Sequence, residues 1–140
     1  MAGLKQKGGL VHVSFENIGV GGEYSRSELA EIWGYESFHP LARGVVTPRE
    51  DNKIILFVTE EQPDFQQQYE DALEGNLLYW EGPTDHFAED RMILASDNED
   101  QIHVFYRVKY LSDFTYLGQA EVIDVQRHSD KPSKFRLRIL

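Results

Sequence analysis

The densest group of reactive side chains lies in LYWEGPTDHFAEDRM, Leu78 to Met92. Asp85, His86, Glu89 and Asp90 fall within six residues, and Arg91 follows. Carboxylates with one imidazole are donors for a divalent cation, and a carboxylate beside a histidine is an acid–base pair. The spacing is poor for a self-contained site. On a helix Asp85 and Glu89 share one face, whereas His86 and Asp90 share a different one. A metal would need ligands from elsewhere, and His86 with Asp90 suits a surface ion pair equally well. No metal and no cofactor are expected. The segment reads as a capped polar turn, with Asp85 as the cap of a short helix.

Other chemistries find less support. There is no cysteine, so disulfides, thiolate zinc sites and thiol nucleophiles are excluded. No G-x-S-x-G elbow occurs. GVGGEYS lacks the lysine of a phosphate-binding loop and no βαβ pattern surrounds it. Aromatic residues are more suggestive. They make up 12% of the chain, and Tyr24, Trp33, Tyr35, Phe38, Tyr69, Tyr79 and Trp80 lie near turns or element ends. Pockets for planar ligands use such residues, but so does an ordinary core. Tyr79 and Trp80 are adjacent, so on a strand only one can face inward.

These residues must be positioned by a fold of strands. In YSRSELAEIWG, Ser25 stands three residues before Glu28, a capping box that predicts a helix over about Arg26 to Trp33, with Leu29, Ile32 and Trp33 inward and Gly34 as its stop. LVHVSF reads as a half-buried strand and IGVGGE as a turn. GVV and KIILFVT read as buried strands. QPDFQQQYEDALEGN stays open between a helical turn and a loop, and LLYWEG is a strand. QIHVFYRV alternates cleanly, as does SKFRLRIL with Phe135, Leu137 and Ile139 inward. FTYLGQAEVIDVQ is a longer strand with a bulge expected at Gly118. The expectation is a mainly β (α+β) domain over residues 10–140 after a mobile segment 1–9. It has six or seven strands in a strongly curved sheet or small barrel, with one or two short helices.

The net charge of −10 is unevenly placed. Residues 60–100 hold thirteen acids and one base, Arg91, whereas residues 101–140 carry seven bases and four acids. A nucleic acid would be repelled by the first region and would need a local basic face. No apolar run reaches the roughly 18 residues of a membrane span, and the N-terminus shows no apolar signal-peptide region. Lack of cysteine suits a cytoplasmic setting.

Four pieces occur in one order: GGEYSRSELAEIWG; GVV with ILFVTEEQ; YEDALEGNLLYWEG; and IHVFYRV with FTYLGQAEVIDV and FRLRIL. Together, from about Gly21 to Leu140, they resemble the SRA-like modified-DNA-reading domains of methylation-dependent restriction endonucleases, where such domains accompany an HNH nuclease. They also resemble the related C-terminal domain of some bacterial helicase-like defence proteins. The resemblance implies a PUA-like or SRA-like curved barrel that flips a modified cytosine of double-stranded DNA into an aromatic pocket. It implies a base-binding wall of Tyr24, Arg26, Trp33, Arg43, Tyr69, Asp71, Tyr79 and Trp80. An aspartate there would accept from an exocyclic amino group. DNA would approach the side carrying Arg26, Arg43, Arg49, Arg127, Lys131 and Lys134, with those side chains on phosphates. No nuclease motif is present, so the chain is expected to be a non-catalytic reader whose effector, a nuclease or helicase, lies on another domain or subunit. Two other readings remain open: an acidic protein-interaction module that mimics DNA, and an enzyme on a nucleotide-like ligand.

Overall fold

KIILFVTEE carries apolar side chains at successive positions, the mark of a strand covered on both faces. In the computed structural model, which describes residues 11–61 and 71–140, this segment is the central strand β3 (Lys53–Glu61). Ile54, Leu56 and Val58 point into one core, and Ile55 and Phe57 into another. The remaining strands are β1 (Glu23–Tyr24), β2 (Val45–Val46), β4 (Ala72–Glu74), β5 (Leu77–Glu81), β6 (Gln101–Lys109), β7 (Phe114–Gln126) and β8 (Lys134–Ile139). They form one sheet in the order β2-β3-β6-β7-β8-β5-β4, with β1 paired to the start of β7. Pairing is antiparallel except between β3 and β6, which run parallel with Lys53 opposite Gln101 and Glu61 opposite Lys109. The sheet is curved and open rather than closed into a barrel.

Two cores follow from this. On one face Leu78, Trp80, Val104, Phe135 and Leu137 pack with Met92 and Ala95, which come from two short helices, α2 (Glu89–Ile93) and α3 (Ala95–Asn98). On the other, Phe57, Phe105, Phe114 and Tyr116 pack against Leu29, Ala30 and Trp33 of helix α1 (Arg26–Trp33). The bulge expected at Gly118 is present. Its φ is +104°, and the β6–β7 register shifts between Val104 and Phe105 opposite it.

Helix α1 has the bounds its sequence predicts. The Ser25 hydroxyl accepts from the Glu28 N–H at 3.0 Å, and the Glu28 carboxylate accepts from the Ser25 N–H at 2.8 Å. Gly34 closes the helix at φ +91°. Ser25→Ala removes a partner from the first turn and should lower unfolding free energy by about 1 kcal/mol in urea denaturation. An unchanged midpoint would mean that packing alone holds this helix end.

Several sequence expectations need correction. Val11 to Phe15 is not a strand. His12 N–H donates to the Trp33 carbonyl at 2.9 Å, and Val13 is buried, so the segment lies over α1 and the second core without joining the sheet. Ile32 faces solvent, and Ala30 takes its place inward. Glu23, read as the end of a turn, forms a strand with Tyr24. Asp85 does not cap a helix. Its carboxylate accepts from the Phe87 N–H, a local turn, while α2 begins later behind Ala88 in the left-handed region at φ +62°. The eight strands and three α-helices among the described residues exceed the expected number because the two-residue β1, the three-residue β4 and the single-turn α3 leave no periodic trace. The segment expected to be mobile (1–9) lies outside the described residues, as do residues 62–70 of the segment left open between helical turn and loop (62–76); the rest of that segment includes the strand Ala72–Glu74.

Candidate functional site

The parallel pair β3–β6 brings the ends of two strands side by side, and a half-open cavity of about 370 Å³ lies against them. That volume is ordinary for a small-molecule or nucleobase site. Its lining includes Arg26 from α1, Gly44 and Val45 at β2, Phe57 and Thr59 of β3, Arg107 of β6, Tyr110 of the β6–β7 turn, and Asp71, Trp80 and Glu81 around β4–β5.

One wall is acidic. Asp71 is buried at 9% exposure, and its Oδ1 accepts from the Glu81 N–H at 2.9 Å. Burial raises its pKa to about 7; the backbone hydrogen bond opposes this, and the Glu81 charge adds to it. Behind it the Tyr106 hydroxyl donates to the Glu60 carboxylate, and burial followed by these acids raises the tyrosine's pKa. Trp80 stands between wall and core. Its ring packs on Phe135 at 5.3 Å and still borders the cavity.

The opposite wall is cationic. The Arg26 guanidinium lies 4.6 Å from the Phe57 ring and 5.0 Å from the Phe114 ring, and its Nε donates to the Leu41 carbonyl at 2.6 Å. Arg107 lies 4.2 Å from Phe114, with its Nε on Thr59 Oγ1 at 2.8 Å and Nη1 on the Ser112 carbonyl at 2.9 Å. Burial and then the charge of Arg107 lower the Arg26 pKa to about 10.

Of the residues expected to bind a base, the structure thus brings Arg26, Asp71 and Trp80 together. Four others it places elsewhere. Trp33 is buried at 2% exposure in the second core, its Nε1 donating to the Ser14 carbonyl at 2.9 Å. Tyr24 packs edge-on to Phe105, and its hydroxyl accepts from the Gly19 N–H. Tyr79 faces away from Trp80 and sits opposite Arg136 on the polar side of β8. Arg43 is at the surface, over the Phe87 ring and paired with Asp85 at 3.1 Å, although its neighbour Gly44 lines the cavity. Tyr69 lies outside the described residues.

The residues expected on phosphates are also dispersed. Arg127 is held by Glu89 and Asp90, at 3.1 and 2.7 Å. Lys134 lies 4.0 Å from Glu81 at the cavity edge, and Lys131 is exposed in the β7–β8 connection. Arg49 lines a separate cavity with Glu50 and Asp51.

The acidic cluster that stands out in the sequence is paired, largely with bases from distant parts of the chain. Asp85 pairs with Arg43, His86 with Glu89 at 3.2 Å, Glu89 and Asp90 with Arg127, and Asp100 with Arg91. The expected His86–Asp90 pair does not form, because each turns to a different partner. No cluster able to hold a metal occurs among the described residues. Arg107 and Tyr110 were missed by sequence reasoning. The signal for Arg107 was present: alternation puts it on the same face as Phe105, at a strand end, where a charge must find a cleft.

This arrangement defines a class. The fold is SRA-like. The solved structures it is similar to include the SUVH5 SRA domain in a hemi-methylated CG DNA complex, at a TM-score of 0.63 and 17% identity over 93% of this chain and 94% of that one. The same domain bound to fully hydroxymethylated CG DNA gives 0.63 and 16% over the same shares, and its methylated CHH DNA complex gives 0.60 and 17%. No protein-family model and no curated protein matches the sequence.

Proposed function

We propose that the chain is a non-catalytic module that reads a modified cytosine in double-stranded DNA, by turning the base out of the duplex into the Asp71–Trp80 cavity. The observation that carries this reading is a buried carboxylate beside an indole in a half-open cavity of nucleobase size, in an SRA-like fold. Asp71 Oδ1 is committed to the Glu81 N–H, which leaves its second oxygen for the exocyclic amine of cytosine. Lys134, at the cavity edge beside Glu81, and the exposed Lys131 take phosphates. Tyr69 is assigned to the same pocket on the resemblance alone. The setting is a cytoplasmic restriction or defence system in which a nuclease or helicase supplies the effector.

The rival reading as a DNA mimic needs a convex sheet of free carboxylates. The acids of residues 71–100 instead include two buried ones and four paired with arginines or a histidine. The rival enzyme reading needs a second reacting group opposite Asp71, and the cavity offers arginines there.

Fluorescence anisotropy at two salt concentrations tests the proposal, with duplexes that differ only in one cytosine: unmodified, 5-methyl or 5-hydroxymethyl. A modified duplex is expected to bind at least tenfold more tightly; equal weak binding to all would remove the reading. The β6–β7 turn supplies a further check. Leu111 is 79% exposed with φ +73°, next to the cavity residue Tyr110. An apolar tip so placed suits a wedge between base pairs. Burying a leucine is worth about 1.5–3 kcal/mol, so Leu111→Ser should weaken duplex binding roughly tenfold or more with an unchanged melting temperature. Unaltered affinity would show that the turn stays outside the duplex.

A further inference from the structure

Arg26 and Arg107 present an electrostatic problem that the described residues do not solve by themselves. Both guanidiniums line one cavity and both lie close to the Phe114 ring. Their hydrogen bonds go to neutral acceptors: the carbonyls of Leu41, Arg43 and Ser112, and the Thr59 hydroxyl. No carboxylate among the described residues pairs with either. The two acids of the cavity are engaged elsewhere, Asp71 with the Glu81 N–H and Glu81 with Lys134. Two cations held in one partly buried cleft repel each other and lose hydration, a cost that a bound anion removes. Both are oriented by stacking and by backbone acceptors, so their remaining N–H groups form a preset donor array of the kind that grips a planar carboxylate or a phosphate.

We propose that Arg26 and Arg107 form an oxyanion subsite inside the cavity. On the base-reading proposal above, it selects a cytosine whose 5-substituent is itself anionic, a carboxyl group, over one bearing methyl. The cavity is then divided by charge: Asp71 takes the amine edge of the base, and the arginines take the substituent. The same chemistry has a second source, the phosphate 5′ to the extruded nucleotide. Arg26 favours the substituent, because its guanidinium stacks on the buried Phe57 ring whereas a backbone phosphate stays at the mouth.

The test compares wild-type protein with Arg107→Gln and Arg107→Lys by anisotropy. The duplexes carry 5-methylcytosine, 5-carboxylcytosine, or 5-methylcytosine with a neutral methylphosphonate on its 5′ side. Wild-type protein is expected to prefer the carboxyl duplex over the methyl duplex by roughly 10- to 100-fold. Arg107→Gln should collapse that ratio toward one, with Arg107→Lys between. If the methylphosphonate instead weakens wild-type binding and not Arg107→Gln, the subsite holds the phosphate. A common factor across all duplexes in Arg107→Gln overturns the subsite. Should Arg107→Gln fail to fold by circular dichroism, the ratio in Arg107→Lys decides in the same way, since lysine keeps the charge and loses the fork. Should wild-type protein not distinguish modified from unmodified DNA, base reading fails on its own. The subsite is then judged by inorganic phosphate at constant ionic strength: a melting-temperature rise in wild type that Arg107→Gln lacks sustains it, and no rise overturns it.

Discussion

Asp71→Asn is expected to make the protein more stable at pH 8 and worse at binding modified DNA. The stability effect follows from the raised pKa of about 7. Between pH 4 and 7 the folded state binds the Asp71 proton and the unfolded state does not. Stability therefore falls as pH rises through this window, by at most about 4 kcal/mol, and the full cost of a buried charge is carried above pH 7. Asparagine removes that cost and keeps an oxygen for the Glu81 N–H. His103 adds an opposite slope. Burial, with the Lys53 charge second, lowers its pKa to about 4. It is buried at 2% exposure, stacked on Phe15, with Nδ1 bonded to the Tyr116 hydroxyl. Here the unfolded state binds the extra proton between pH 4 and 6.5, so stability rises with pH by up to about 3 kcal/mol. In the wild type the two slopes largely cancel. Asp71→Asn exposes the His103 slope: the variant should match wild type near pH 4.5 and exceed it by about 2–4 kcal/mol at pH 8 in urea melts. Parallel pH profiles would show that Asp71 is not titrating in this range. The binding effect has the other sign. With its oxygen taken by the Glu81 N–H, the introduced amide would turn its own N–H donors toward the cytosine amine, donor against donor, at a cost of about 2–3 kcal/mol in anisotropy. A variant that is both more stable and equally tight would detach Asp71 from base recognition.

Trp33→Ala is the second large expected effect. The ring lies 5.5 Å from Phe15 and 6.4 Å from Phe105, and its N–H is satisfied by Ser14. Removing it empties a site where α1, the 11–15 segment and the sheet meet, so about 3–5 kcal/mol should be lost in urea denaturation. Because the ring does not line the cavity, DNA affinity of the folded fraction should stay within twofold. A loss of affinity without a loss of stability would return Trp33 to the pocket.

How far the sequence could be read follows from how local each signal was. Helix α1 was legible to the residue because both partners of its cap lie within one turn. β6 was legible because its β-branched and aromatic run suits a strand covered on both faces, and β8 because one covered side gives alternation. The segment at Val11–Phe15 misled for the same reason. An extended chain laid over a core alternates as a strand does, and only the partners of its backbone, a helix end and a side chain in place of a neighbouring strand, tell them apart. The pocket was half legible. Adjacency required Tyr79 and Trp80 to point apart, but which turned inward depends on β8, far along the chain. Asp71 came from resemblance alone. Its buried state depends on Glu81 offering an N–H across the β4–β5 hairpin, which no spacing rule encodes. The acids at Asp85–Asp90 looked reactive because their partners, Arg43 and Arg127, are distant in sequence.

The parallel pairing of β3 with β6 also sets an order of events during folding. Nothing local can close that pair, since the chain must first travel out through β4, β5 and two helices and return. β5, which carries Trp80 and Glu81, has only the three-residue β4 and the late strand β8 as neighbours. High separation between paired segments slows folding. As the chain is synthesised, the cationic side of the cavity is complete once β7 has emerged, while the acidic side stays unanchored until β8 arrives. A nascent chain would thus hold two arginines before it holds the aspartate, and the cavity acquires both of its walls only once β8 has emerged.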